Sequence, residues 1–92
     1  MILPSIHLGG TGQWDLFRNY QFALDEIRDA RDAFAAIEFN SRDYYVQGAG
    51  AWEAAVEERD AQFTAFDAII KYLEDHIISI DSQIEARKRK SV

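Results

Sequence analysis

From Trp52 onward, apolar residues recur at Trp52, Val56, Phe63, Phe66, Ile70, Leu73, Ile77, Ile80 and Ile84, with Arg59 holding one place in the series and Arg87 continuing it. The steps alternate four and three. Such spacing lays a stripe along one side of an α-helix and favours left-handed, coiled-coil-type packing against another helix. It predicts a helix over 51–87. Upstream, Phe17, Tyr20, Leu24, Ile27, Arg31 and Phe34 repeat the alternation, followed by Ile37 and Glu38, which predicts a helix over 13–39. Thr11 is a suitable N-cap, Asp15 suits the first turn, and Asn40 tolerates a left-handed C-cap. Gly48 and Gly50, in the connection 40–50, allow the chain to reverse.

The expected fold is therefore all-α: an antiparallel two-helix hairpin with coiled-coil-type packing, completed by self-association or a larger partner. Residues 1–12 form an extended arm, since Pro4 and the Gly9-Gly10 pair oppose a helix there, and residues 88–92 form a basic tail. At 1.5 Å per residue the first helix spans about 40 Å and the second about 54 Å. If the chain turns near residue 45, facing residues have numbers that sum to about 90. Phe17 then lies level with Leu73, and Ile77, Ile80 and Ile84 have no helical partner. Either the arm, through Ile2, Leu3, Ile6 and Leu8, or another subunit must cover them.

The same register places Arg31 opposite Arg59. Two guanidiniums at one level need acids, and Asp32, Glu58 and Asp60 are near in sequence; a polar layer of this kind fixes register at some cost in stability. The functional alternative is an arginine pair awaiting an external carboxylate or phosphate. Apolar residues also lie off the seam, among them Trp14, Phe22, Ile69, Tyr72 and Ile78 with a scatter of alanines. A two-helix pair has one inner face, so this surplus predicts a second buried face in a four-helix arrangement or on a larger protein. In the turn NSRDYYVQGAG, Tyr44 and Tyr45 are read as contact residues, one folded inward on Phe39 or Trp52 and one presented to a partner.

Composition narrows the possibilities. The chain has 92 residues and no cysteine, so disulfides and thiolate metal sites cannot reinforce its small core. Its net charge of −6 is uneven: residues 1–84 carry 6 Lys+Arg against 15 Asp+Glu, and residues 85–92 carry 4 against 1. An acidic body repels nucleic acid, leaving only the basic tail as a phosphate contact, and that tail also complements the dipole of the helix it ends. No apolar run is long enough for a membrane span, and the start lacks a cationic leader, so a cytoplasmic site of synthesis is expected.

Candidate chemistry is thin. His7 and His76 lack the companions of a carboxylate-bridged metal site. The glycines of HLGGTGQ follow no strand and precede no Gly-Lys-Ser/Thr, so they read as a joint and not a phosphate loop. Adjacent acids such as Glu57-Glu58 diverge around a helix. No catalytic set, metal or cofactor is expected.

Two segments, IHLGGTG at 6–12 and SRDYYVQG at 41–48, resemble motifs of small proteins encoded by tailed bacteriophages and prophages, of the forms I-H-L-N-G-T and R-D-Y-Y-P-Q-G. The matching positions are His7, Leu8, Gly10, Thr11, Arg42, Asp43, Tyr44, Tyr45, Gln47 and Gly48; Gly9 and Val46 depart from the pattern. The resemblance implies a non-enzymatic virion or assembly protein, made in the bacterial cytoplasm and bound in multiple copies to portal, tail or capsid proteins, with the head-tail junction placed ahead of capsid decoration. The alternative is a small regulatory or chaperone-like module that holds a client helix against Ile77, Ile80 and Ile84.

Overall fold

The computed structural model describes residues 1–90. The chain is all-helical: α1 spans Gln13–Ala35 and α2 spans Ala51–Lys90, and these two long helices pack against each other. Two single turns of 3-10 helix, Ser41–Asp43 and Tyr45–Gln47, occupy the connection. The molecule measures 68 × 21 × 20 Å, with a radius of gyration of 19.9 Å, against about 12 Å for a compact chain of this length. It is a rod.

The four-three stripe is the contact seam. Each of its members from Trp52 to Ile84 is buried or half-buried, and on α1 the same holds from Phe17 to Phe34. Ring contacts mark its middle, where Phe34 meets Phe63 at 5.1 Å and Phe66 at 5.6 Å.

Both predicted ends of the first helix shift. At its start Gly12, and not Thr11, is the N-cap, and no side chain caps it. At its end α1 stops at Ala35, four residues short of Phe39; Asn40 is extended, with φ −126°, and makes no left-handed cap. The cause is tertiary. Phe39 leaves the helix to stack on Trp52 at 4.6 Å, and an Arg59 N–H takes the Ala35 carbonyl at 3.3 Å. Gly48 at φ +113° and Gly50 at φ +84° then supply the backbone that only glycine adopts easily, just before α2. At the other end α2 runs past residue 87 to Lys90, so most of the expected tail is helical; Ser91 and Val92 lie outside the described residues.

A longer connection changes the register. Cross-helix partners run in opposite order along the two helices, and their numbers sum to about 97: Tyr20 with His76, Phe34 with Phe63, Arg31 with Asp67. This differs by one heptad from the register that a turn at residue 45 requires. Phe17 now comes level with Ile80, and Gln13 with Ile84. Accordingly Ile80 is 0 % and Ile84 1 % exposed in the single chain. The expectation that these two isoleucines have no helical partner within the chain, and with it their place among the partner-binding residues, is corrected: the shifted register brings α1 level with them.

The arm adds cover at the same level. The Gln83 carboxamide accepts from the Ile6 N–H at 2.8 Å and donates to the Pro4 carbonyl at 2.9 Å, as a neighbouring strand would. Beyond it, His7 closes a turn by accepting from Gly10 N–H at 3.2 Å, and its Nδ1 accepts from Gly9 N–H. A Cβ on Gly10 would lie 3.0 Å from the His7 ring, so a larger residue there would require the exposed His7 side chain to move.

Ile80→Ala is expected to lower stability by about 2–5 kcal/mol, since a fully enclosed isoleucine leaves a cavity; urea unfolding followed by circular dichroism measures it, and a loss below about 1 kcal/mol would contradict the packing. Gln83→Ala should leave the helix pair folded and free the arm, which amide exchange detects as lost protection at Ile6.

Candidate functional site

The loop end of the rod gathers exposed and half-exposed aromatic groups around a cation. Phe39, Tyr44 and Trp52 form a triangle with centroids 4.6 to 5.7 Å apart. Tyr44 is half-buried in it, while Tyr45, one residue on, is 67 % exposed beside Val46 at 74 %. The two tyrosines thus have different surroundings, because the 3-10 turns rotate successive side chains by about 120°.

Beside this triangle lies an open groove of about 300 Å³, lined by Phe34, Ile37, Phe39 and Tyr44 on one side and by Glu58 and Arg59 on the other. The Arg59 guanidinium carbon sits 4.8 Å from the centroids of Phe39 and Phe63 and 5.8 Å from that of Phe34. These rings favour a cation electrostatically. Its Nη2 donates to Ala35, and because α1 carries no basic residue in its last turn, Arg59 supplies the positive charge that the helix end favours. Among the described residues no carboxylate lies within ion-pair distance of it.

Arg31 reaches the same ring from the other helix, 5.0 Å from Phe63. The predicted arginine layer thus shares an aromatic, but its neutralisation differs from expectation. Arg31 pairs with Asp67 at 2.9 Å, not with Asp32, Glu58 or Asp60. One turn along, Arg28 pairs with Glu74 at 3.1 Å. Both pairs are solvent-exposed in part and contribute little beyond about 1 kcal/mol each.

At the opposite end, Ile2 is 92 % and Leu3 42 % exposed, whereas Ile6 and Ile77 are half-buried. The predicted partner-binding set therefore does not form one patch: Tyr44 and Tyr45 lie at the loop end, Ile2 and Leu3 at the arm end, and Ile80 and Ile84 inside. His76 is 1 % exposed, held between Tyr20 at 5.0 Å and Tyr72 at 4.1 Å, with Nδ1–H donating to the Tyr72 carbonyl at 2.8 Å. It is a packed interface histidine. His7 is exposed. No group of three or more metal-ligating side chains occurs among the described residues, and none of their helices is long and apolar enough to cross a membrane.

Gln83 and His76 were missed as seam-side polar positions. The signal was present in their spacing, since Gln83 flanks Ile84 and His76 follows Leu73 by three residues. On the solvent side, Asp75 beside the exposed Lys71 holds its ammonium above the ordinary 10.5. A raised lysine pKa means that any stabilisation from this pair is complete below about pH 10 and fades as the pH rises past the folded value.

No family model matches the chain, and no curated protein or solved structure shows significant similarity to it.

Tyr44→Ala is expected to lower stability by about 1–2 kcal/mol through loss of the ring triangle, whereas Tyr45→Ala should stay within about 0.5 kcal/mol. Thermal melts of both variants test this; equal losses would show that Tyr45 is also a structural residue.

Proposed function

We propose that this chain is a non-enzymatic bacteriophage virion or assembly protein: an antiparallel hairpin with coiled-coil-type packing that binds in multiple copies to a larger particle. The head-tail junction is placed ahead of capsid decoration. The motif resemblances at 6–12 and 41–48 supply the phage part of this reading. The observation that carries the binding part is uncovered apolar surface.

A folded monomer of 10.6 kDa should expose about 5,500 Å², and this one exposes 6790 Å². The rod shape raises this area, and large apolar side chains are part of what it exposes: Phe22 is 67 %, Ile78 64 %, Tyr72 47 % and Ile69 45 % exposed. Along α2, Ala61, Ala65, Ala68 and Tyr72 form a second four-three stripe, all of it exposed, where small residues allow close helix approach, with Ala54 one heptad before it. One flank of the rod, 68 Å by 21 Å, offers roughly 1,400 Å², enough for the ~800 Å² per partner of a standard interface. Neighbouring copies in a symmetric particle would cover such a stripe.

The client-helix alternative loses two of its three anchoring residues, because Ile80 and Ile84 are filled from within the chain.

Mass spectrometry of purified particles from the encoding genome should find the protein in many copies per virion. Its absence from both mature particles and assembly intermediates would end the proposal. For the isolated chain, sedimentation at tens of micromolar should show a dimer or larger species that Ile69→Asp converts to monomer without loss of helix; an association unchanged by that substitution would move the interface elsewhere.

A further inference from the structure

We infer that the groove at the loop end is a docking site for a single carboxylate carried beside a bulky aliphatic or aromatic residue on a partner protein. This rests on the protein-binding reading above and adds the chemistry of the partner.

Arg59 is the cation at the centre of the groove wall. Its guanidinium is fixed by three rings and by one hydrogen bond, from Nη2 to Ala35. Nε and Nη1 make no hydrogen bond among the described residues, and no acid neutralises the charge. A guanidinium already immobilised loses little further entropy when it binds, and its planar fork matches a carboxylate in two parallel hydrogen bonds. In an otherwise strongly acidic chain, where Arg28 and Arg31 each hold a carboxylate, a seam arginine left without one is a distinct arrangement.

The lining sets the rest of the ligand. Phe34, Ile37, Phe39 and Tyr44 face the same open space, and Ile37 is 56 % exposed. They suit one bulky apolar side chain next to the acid. A phosphate dianion fits less well. Phosphate sites gather several cations, whereas the neighbouring Arg31 is held by Asp67 at 2.9 Å, and Glu58 lines the groove itself. Glu58 favours a ligand with one negative charge and a nearby backbone N–H to donate to it. Two charges at that place would be opposed.

The test is an NMR titration of the full chain with three probes: N-acetyl-leucine, N-acetyl-leucinamide and inorganic phosphate. The expected result is a saturable shift of the Arg59 Nε–H and of the amides of Ala55 and Gln62, which also line the groove, with N-acetyl-leucine, at least about 5-fold tighter than with the amide. Arg59→Lys should weaken it about 5- to 10-fold through loss of the fork. Glu58→Gln, an exposed change, should tighten it about 2- to 3-fold by removing a like charge. Equal response to acid and amide, stronger response to phosphate, or shifts away from the groove would each overturn the site. Should Arg59→Lys fail to fold, the acid-amide comparison and Glu58→Gln decide alone. Failure here leaves the virion reading intact, because mass analysis of particles reads that separately.

Discussion

One guanidinium ties the end of the first helix to the second and to the loop. Arg59 is drawn into the aromatic layer of Phe34, Phe39 and Phe63, and from there it takes the carbonyl of Ala35. That contact ends α1 and supplies the cation its C-terminus lacks. With the helix stopped at Ala35, fifteen residues remain before α2, and Phe39 is free to reach Trp52. The long connection moves the turning point along the chain by several residues. As a result the first turns of α1 reach Ile80 and Ile84, 21 to 25 residues beyond Arg59, and enclose them.

Which residues form the seam was legible in the sequence, because a four-three alternation reports the buried side of a helix. From Trp52 to Ile84, and from Phe17 to Phe34, every position so identified is covered to some degree. The axial offset was not legible. A stripe that repeats every seven residues presents the same face after a slip of one heptad, so periodicity cannot separate a pairing sum of 90 from one of 97. Only particular contacts do that, and they involve residues outside the pattern. Asp67 draws Arg31, and Gln83 clasps the arm backbone at Pro4 and Ile6. The end of α1 was hidden for a related reason: Ala36, Ile37 and Glu38 are acceptable helix residues, and what stops the helix lies across the interface.

The candidate site was legible in parts. Arg59 and the tyrosines stand out in the sequence as polar or aromatic exceptions, yet nothing in their spacing shows that they share one end with Phe39. The separation of Tyr44 from Tyr45 depends on 3-10 geometry, which single residues do not announce. Conversely, the isoleucine triplet is conspicuous in the sequence because it lies at the well-packed end of the rod. A strong apolar pattern identifies what must be covered, and the chain's own first residues are a sufficient cover for Ile80 and Ile84.

This division of labour follows from the shape. A two-helix rod has one interior, and its seam has consumed the strongest apolar residues, from Leu24 and Leu73 to Ile84. What remains outside is of another kind: alanines with a few large groups along α2, and backbone irregularities at the two ends. Both motif segments, 6–12 and 41–48, fall in those irregular ends, which are held apart by the stiff body of α2, about 46 Å from Trp52 to Gln83 at 1.5 Å per residue. The two ends differ in what they expose: aliphatic side chains of the arm with Trp14 and Lys88 at one, and Tyr45, Val46 and the aromatic triangle beside Arg59 at the other. Each end is therefore free to meet a neighbour independently of the other, while the flank between them is held straight by the helix pair.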